Sequence, residues 1–169
     1  MSIDVVSFCR VVRDRPHMFF GCSRADPGLA GAVVEAVVRD TLGQRDGRGL
    51  WVEVVIESDH RFTMTDNCVS AMDKVDVNGL PLSRWALGAL LAVSARAAIE
   101  IRTVERQWLR EFEEMTPVGA AREQRVFGSP GTRITCELDH GYFPATTVLP
   151  AGENLLIPWD DRVTVTDQR

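Results

Sequence analysis

The sequence predicts an α+β fold, with helices on one face of a mostly antiparallel sheet. Three observations carry this expectation. Two early stretches repeat their apolar residues at helical spacing. Later stretches switch to β-rich runs that come in pairs joined by short turns. The resulting order is helix, helix, two strands, helix, three strands, so like elements cluster rather than alternate one by one.

Each element has its own reason. Ile3 to Arg13 reads as a short helix, with Val5, Val6, Phe8, Cys9 and Val12 on one side. Asp14-Arg15-Pro16 ends it, because the residue before a proline is pushed out of the α region. Asp26-Pro27-Gly28 starts the next helix, since Asp caps and Pro suits the first turn. That helix runs through Leu29, Val33, Val34, Val37, Val38 and Leu42 to Gly43, and Gly47 and Gly49 continue a loop. Leu50 to Glu57 and Arg61 to Asp66 read as a hairpin turning at Ser58-Asp59-His60. Asn67 to Leu82 is loop-like, with Asn78-Gly79 and Pro81 as breakers. Ser83 caps a helix over roughly Arg84 to Ala97. A second hairpin follows, Ala98 to Glu105 and Gln107 to Glu114. Met115 to Pro130 reads as loop and Arg133 to Asp139 as strand. Beyond it, Pro144, Pro150 and Pro158 bound strand candidates at Leu155–Ile157 and Arg162–Val165.

Bulk properties bound the function. A chain of 169 residues, 45% hydrophobic and 25% charged, suits a single soluble globular domain. The net charge of −5, with no concentrated basic segment, argues against nucleic acid as a partner. Cys9, Cys22, Cys68 and Cys136 form no C-x-x-C pair, and His17, His60 and His140 stand at no zinc spacing from them. No metal site is expected, and the cysteines read as reduced thiols. No window approaches the ~20 apolar residues that span a bilayer, and no basic segment followed by an apolar one opens the chain. The expectation is a cytoplasmic protein without a membrane partner.

The segment Val11-Val12-Arg13-Asp14-Arg15-Pro16-His17-Met18-Phe19-Phe20-Gly21 resembles the opening V-R-K-R-P-G-M-Y-I-G of the gyrase B ATPase domain. Downstream come a long helix with Glu35, a hairpin ending in Asp66, a helix entered by Leu87-Gly88, a second hairpin, and Gly131-Thr132 leading into a strand. That order over residues 5 to 139 resembles the GHKL (Bergerat) fold. The resemblance implies a GHKL-like sandwich at residues 1–139 and a C-terminal extension at 140–169, within one domain.

It also implies an altered nucleotide site. The family carries a catalytic Glu and, four residues on, a magnesium-binding Asn. Here Glu35 is followed by Arg39, on the same helix face. A guanidinium cannot ligate Mg²⁺, which takes oxygen donors. The family's D-x-G-x-G reads Asp66-Asn67-Cys68-Val69-Ser70, with both glycines replaced. The glycine-rich phosphate lid is reduced to Asp73–Leu87 with Gly79 alone. Asp66 and Thr132 match the family's adenine anchors, and Arg110 matches an arginine at the pocket mouth. Triphosphate binding draws much of its strength from metal and backbone N–H groups, so two retained hydrogen bonds of ~1 kcal/mol each do not compensate.

Strand alternation places Phe62 and Met64 on the face of Asp66, Trp108 and Phe112 on that of Arg110, and Ile134 and Cys136 on that of Thr132. With Val33 and Ala36 from the helix, and Cys68, Val69 and Met72 after the hairpin, these residues describe an apolar cavity. Its polar groups are Glu35, Arg39, Asp66, Arg110 and Thr132. The expected function is binding of a hydrophobic small molecule, with a cofactor-free cyclisation or isomerisation in which Glu35, Arg39 or Asp66 moves a proton or donates hydrogen bonds.

Two other readings stay open: a residual nucleotide binder or gyrase modulator, and a protein-interaction module without ligand. The plainer accounts of the same residues also stand. Glu–Arg pairs at i, i+4 are commonly surface ion pairs, aromatic residues on one sheet face are commonly core, and an Asp at a strand end is commonly a turn former. Cys68 has no sequence-near base to make it a nucleophile. The proline-bounded tail, with Leu155, Leu156, Ile157 and Trp159, either closes the cavity or pairs with a second copy, and a homodimer is expected.

Overall fold

The computed structural model describes residues 7–43, 49–69, 84–151, 154–155 and 161–169. Ile3, Gly47, Met72, the segment from Ser70 through Ser83, most of the strand candidate Leu155–Ile157, and Trp159 lie outside the described residues.

Helix α1 (Phe8–Asp14) starts at Ser7, whose hydroxyl accepts from the Arg10 N–H. It stops at Arg15 before Pro16, as the proline requires. A short helix α2 (His17–Phe20) follows, not expected from the sequence. Gly21 closes it at φ +76°, the left-handed conformation that glycine takes at no steric cost. Helix α3 (Leu29–Leu42) buries Leu29, Ala30, Val33, Val34, Val37 and Val38, the apolar positions of the helical repeat.

Strands β1 (Val52–Ser58) and β2 (Arg61–Asp66) form the first hairpin. Helix α4 (Trp85–Ala92) is apolar on nearly all sides, and it packs between α1, α3 and the sheet. It ends earlier than its alanine content suggests. Ser94 donates its hydroxyl to Leu90 O, and Ser94–Ala97 leave the helix for strand β3 (Ser94–Arg102). Pairing with strands on both sides outweighs helix propensity there.

Strands β4 (Arg106–Glu113) and β7 (Gly131–Leu138) flank β3. The stretch read as loop between them contains two short strands, β5 (Thr116–Pro117) and β6 (Arg122–Arg125), both paired to β4. Strand β8 (Val163–Asp167), from the tail, adds to β1 in parallel. The sheet order is β5-β4-β3-β7-β2-β1-β8, with β6 beside β4, and all other pairings are antiparallel.

The expected α+β class is therefore observed: a mostly antiparallel open sheet with helices over its apolar face. Register stacks that face into three cross-sheet rows. One holds Val52, Asp66, Thr132, Ile101 and Trp108; the next Val54, Met64, Ile134, Ile99 and Arg110; the third Ile56, Phe62, Cys136, Ala97 and Phe112. The opposite face carries Glu57, Arg61, Arg133, Glu100, Arg102 and Glu111, as expected of a one-sided sheet.

Tyr142, the chain's single tyrosine, locks the opening segment to the end of β7. Its ring lies between the guanidiniums of Arg13 and Arg24, 4.7 and 4.8 Å from its centroid. Arg13 also reaches Asp139 at 2.6 Å, which holds that carboxyl below its ordinary range against the opposing effect of burial. Tyr142, Phe143, Leu149 and Leu155 from the tail belong to the same core as the helices. No helix among the described residues is long and apolar enough to cross a membrane.

Candidate functional site

The sequence-predicted residues separate into three groups. The first is a buried polar corner. Asp66 ends β2, and Thr132 sits opposite it on β7. The Asp66 carboxylate accepts from the Cys68 N–H at 2.8 Å, and the Thr132 hydroxyl donates to Cys68 O at 2.8 Å. This pair of bonds ties the Cys68 backbone to the end of β2 and the start of β7 and satisfies polar groups that burial would otherwise penalise. A side chain at Gly131 would place its Cβ 2.2 Å from Asp66 O, so only glycine lets β7 approach this turn.

A residue the sequence reading did not single out completes the corner. Arg84, fully buried at the entry to α4, places Nη2 3.6 Å from Asp66 Oδ2 and Nε 3.4 Å from Asp40 Oδ2 on α3. Its Nη2 also donates to Thr41 Oγ1 at 2.6 Å. One guanidinium thus faces two buried carboxylates. Burial pushes both carboxyls up, Asp66 to about 6. Arg84 opposes the shift at both, and the backbone N–H groups of Cys68 and Thr132 oppose it at Asp66. The available signal was a lone arginine heading an otherwise apolar helix, which must find buried partners.

The second group is core. Phe62, Met64, Ile134 and Phe112 are buried in the second and third rows, in one core with Val33, Val37 and the residues of α4. Val69 is half-buried against the same core. Cys68 is buried, and Cys136 is buried beside the Ser94 hydroxyl, with desolvation raising its thiol to about 12. Trp108 and Arg110 are half-buried on β4, in register with Ile101 and Ile99.

The third group opens to solvent. Glu35 and Arg39 form an ion pair of 3.6 Å on α3. The Glu35 side chain is only 15% exposed and that of Arg39 is 59% exposed. With Ala36 they line a cleft of about 270 Å³ whose other walls are Phe19, Phe20, Gly21, Ala32 and Trp85. The opening motif and α4 thereby supply aromatic walls that spacing on α3 alone did not reveal. Cys22 is close enough to Glu35 to feel it: burial first, then Asp26 and Glu35, raise its thiol. Met72 lies outside the described residues.

The chain matches no family model, and no curated protein matches it.

Proposed function

We propose that this protein is a GHKL-like domain turned from ATP hydrolysis to holding a hydrophobic small molecule, on which it performs a cofactor-free cyclisation or isomerisation. The observation that carries the reading is the Glu35 cleft. A mostly buried carboxylate and a partly exposed guanidinium meet walls of Phe19, Phe20, Ala32, Ala36 and Trp85. Convergent polar groups in an apolar hollow are the usual composition of a small-molecule site. Kinship with the GHKL fold is supported by the order of elements, by Asp66 and Thr132 facing each other across β2 and β7, and by the steric need for Gly131 before Thr132.

The residues fit magnesium nucleotide poorly. Arg39 presents a cation where the family places a metal ligand, and the Asp66 carboxylate is already engaged by Arg84 and Cys68 N–H. No step through metal or ATP follows. In this reading Glu35 takes a proton from one carbon of the ligand and returns it to another, so the reaction is proton-neutral. Arg39 stabilises negative charge developing on a ligand oxygen. The aromatic walls hold the reactive conformer, an entropic contribution of several kcal/mol. Asp66, through Arg84 and Asp40, fixes α3 against the sheet and acts on the cleft only indirectly.

The test is calorimetry and thermal shift with farnesol and geranic acid as lipophilic probes, beside Mg²⁺-ATP. Farnesol or geranic acid is expected to raise Tm in the parent, and Ala36→Trp, which fills the cleft, to abolish the effect. Mg²⁺-ATP is expected to give no heat at millimolar concentration. Silence from every lipophilic probe, or nucleotide binding that Glu35→Gln weakens, would defeat the reading. A second reading, a protein-interaction module without ligand, draws support from Phe62, Met64, Phe112 and Ile134 filling the inner sheet face with the protein's own side chains.

A further inference from the structure

The sheet face opposite the helices carries a second hollow, at the ends of β2, β3 and β7. It is about 180 Å³ and is lined by Trp51, Thr65, Glu100, Arg102, Arg133 and the segment Ser129–Thr132 that leads into β7. Its shape follows from the fold. Gly131 pairs with Arg102 across β7 and β3, and a side chain at 131 is forbidden by Asp66 O. The strand surface therefore has a notch beside Arg102.

The walls of this notch are fixed. Asn67 accepts from the Trp51 N–H at 3.0 Å and donates to Gly49 O at 2.8 Å, which straps the Trp51 backbone to the end of β2. The indole stands 44% exposed at the hollow. Arg102 is held by Glu100 on its own strand, and its Cδ lies within 3.7 Å of where a Cβ on Gly128 would be. Arg133, exposed and opposite both Thr65 and Glu100, forms no ion pair among the described residues. Asp66 contributes backbone here, because its carboxylate faces Arg84 on the helix side.

Among the side chains that open into the hollow, the guanidiniums of Arg102 and Arg133 stand against the single carboxylate of Glu100, which is already paired with Arg102. An exposed indole supplies a flat apolar wall, and arginine forks match carboxylates. A cavity of roughly 150 Å³ accepts a benzene ring, so one ring bearing an acid group fits this volume. We infer that the Trp51–Arg102–Arg133 notch is a binding site for a one-ring aromatic carboxylate, distinct from the Glu35 cleft. The ring lies on Trp51 and the carboxylate reaches Arg133 and Arg102. Single-stranded nucleic acid also combines stacking with phosphate, but the small hollow and the acidic chain favour the small acid.

Benzoate is the probe, read by the Trp51 indole N–H resonance assigned through Trp51→Phe. A saturable shift of that resonance is expected. Arg133→Ala, at an exposed position that leaves the fold intact, weakens binding at least fivefold. Benzamide and cyclohexanecarboxylate bind at least fivefold more weakly than benzoate. Trp85→Phe, in the other cleft, leaves benzoate affinity unchanged. Equal binding of benzamide, unchanged affinity in both Arg102→Ala and Arg133→Ala, or an oligonucleotide that displaces benzoate with affinity rising with its length overturns the inference.

Discussion

At the scale of single residues, the decisive feature is Arg84. A guanidinium with no exposed surface is tolerated here beside Asp40, Asp66 and Thr41, which offer it charge and a hydrogen-bond acceptor. Removing it strands two buried carboxylates rather than merely deleting a contact. Arg84→Ala is expected to cost about 3–5 kcal/mol, measured by urea unfolding. Asp66 adds a pH dependence of defined sign. Its folded pKa of about 6 lies above the value near 3.9 of an unfolded aspartate. Between those values the folded state holds a proton that the unfolded state has lost. Stability from this group is thus full below about pH 4 and falls as pH rises towards 6. Asp66→Asn is expected to flatten that slope in unfolding curves taken from pH 4 to 7. A variant retaining the full slope would assign it to Asp40, whose carboxyl shifts the same way. Such a buried cluster was not legible in the sequence. Asp40 and Asp66 are 26 positions apart, and what raises their pKa is desolvation, which exists only after packing.

At the scale of elements, the hairpins and α3 follow from period and punctuation. Val52, Val54 and Ile56 alternate with Glu53 and Glu57, and that alternation selects a one-sided strand. Helix α4 shows where local preference fails. Its apolar, alanine-rich run predicts a helix to Ala97, yet Ser94–Ala97 pair with β7 and β4. Propensity is worth tenths of a kcal/mol per residue, and burying a strand between two neighbours is worth more. The close approach of β7 to the end of β2 is likewise an element-level property. Gly131→Ala is expected to destabilise by about 1–3 kcal/mol, because the backbone oxygen of Asp66 cannot swing aside as a side chain could. Gly88→Ala is the contrast, since its nearest neighbour is the movable ring edge of Phe8 at 3.3 Å. Equal thermal stability of the two variants would show that β7 can shift to accommodate a methyl group.

At the scale of the whole molecule, the tail is part of the sheet rather than an appendage. β8 covers the edge of β1 in parallel. Arg169 then binds Asp59 at 3.1 Å and Leu149 O at 2.9 Å. Removing residues 161–169 uncovers the backbone edge of β1, a template for pairing with another chain. The truncated protein is expected to lose several degrees of Tm and to self-associate in sedimentation analysis. A truncated chain that stays as stable and disperse as the parent would reduce β8 to a surface ornament.

The sequence by itself determined the α+β class, the two hairpins and the long helix. These are local quantities: period, turn chemistry and caps act within a few residues, so a linear reading recovers them. Only the tertiary structure decided which residues are sealed and which are open. It consumed Asp66 in a bridge to Arg84, turned Phe62, Met64 and Ile134 into core, and brought Phe19, Phe20 and Trp85 to Glu35. The reason is that burial and cavity shape are set by contacts between residues distant in the chain, whose energies appear only when the elements are packed together.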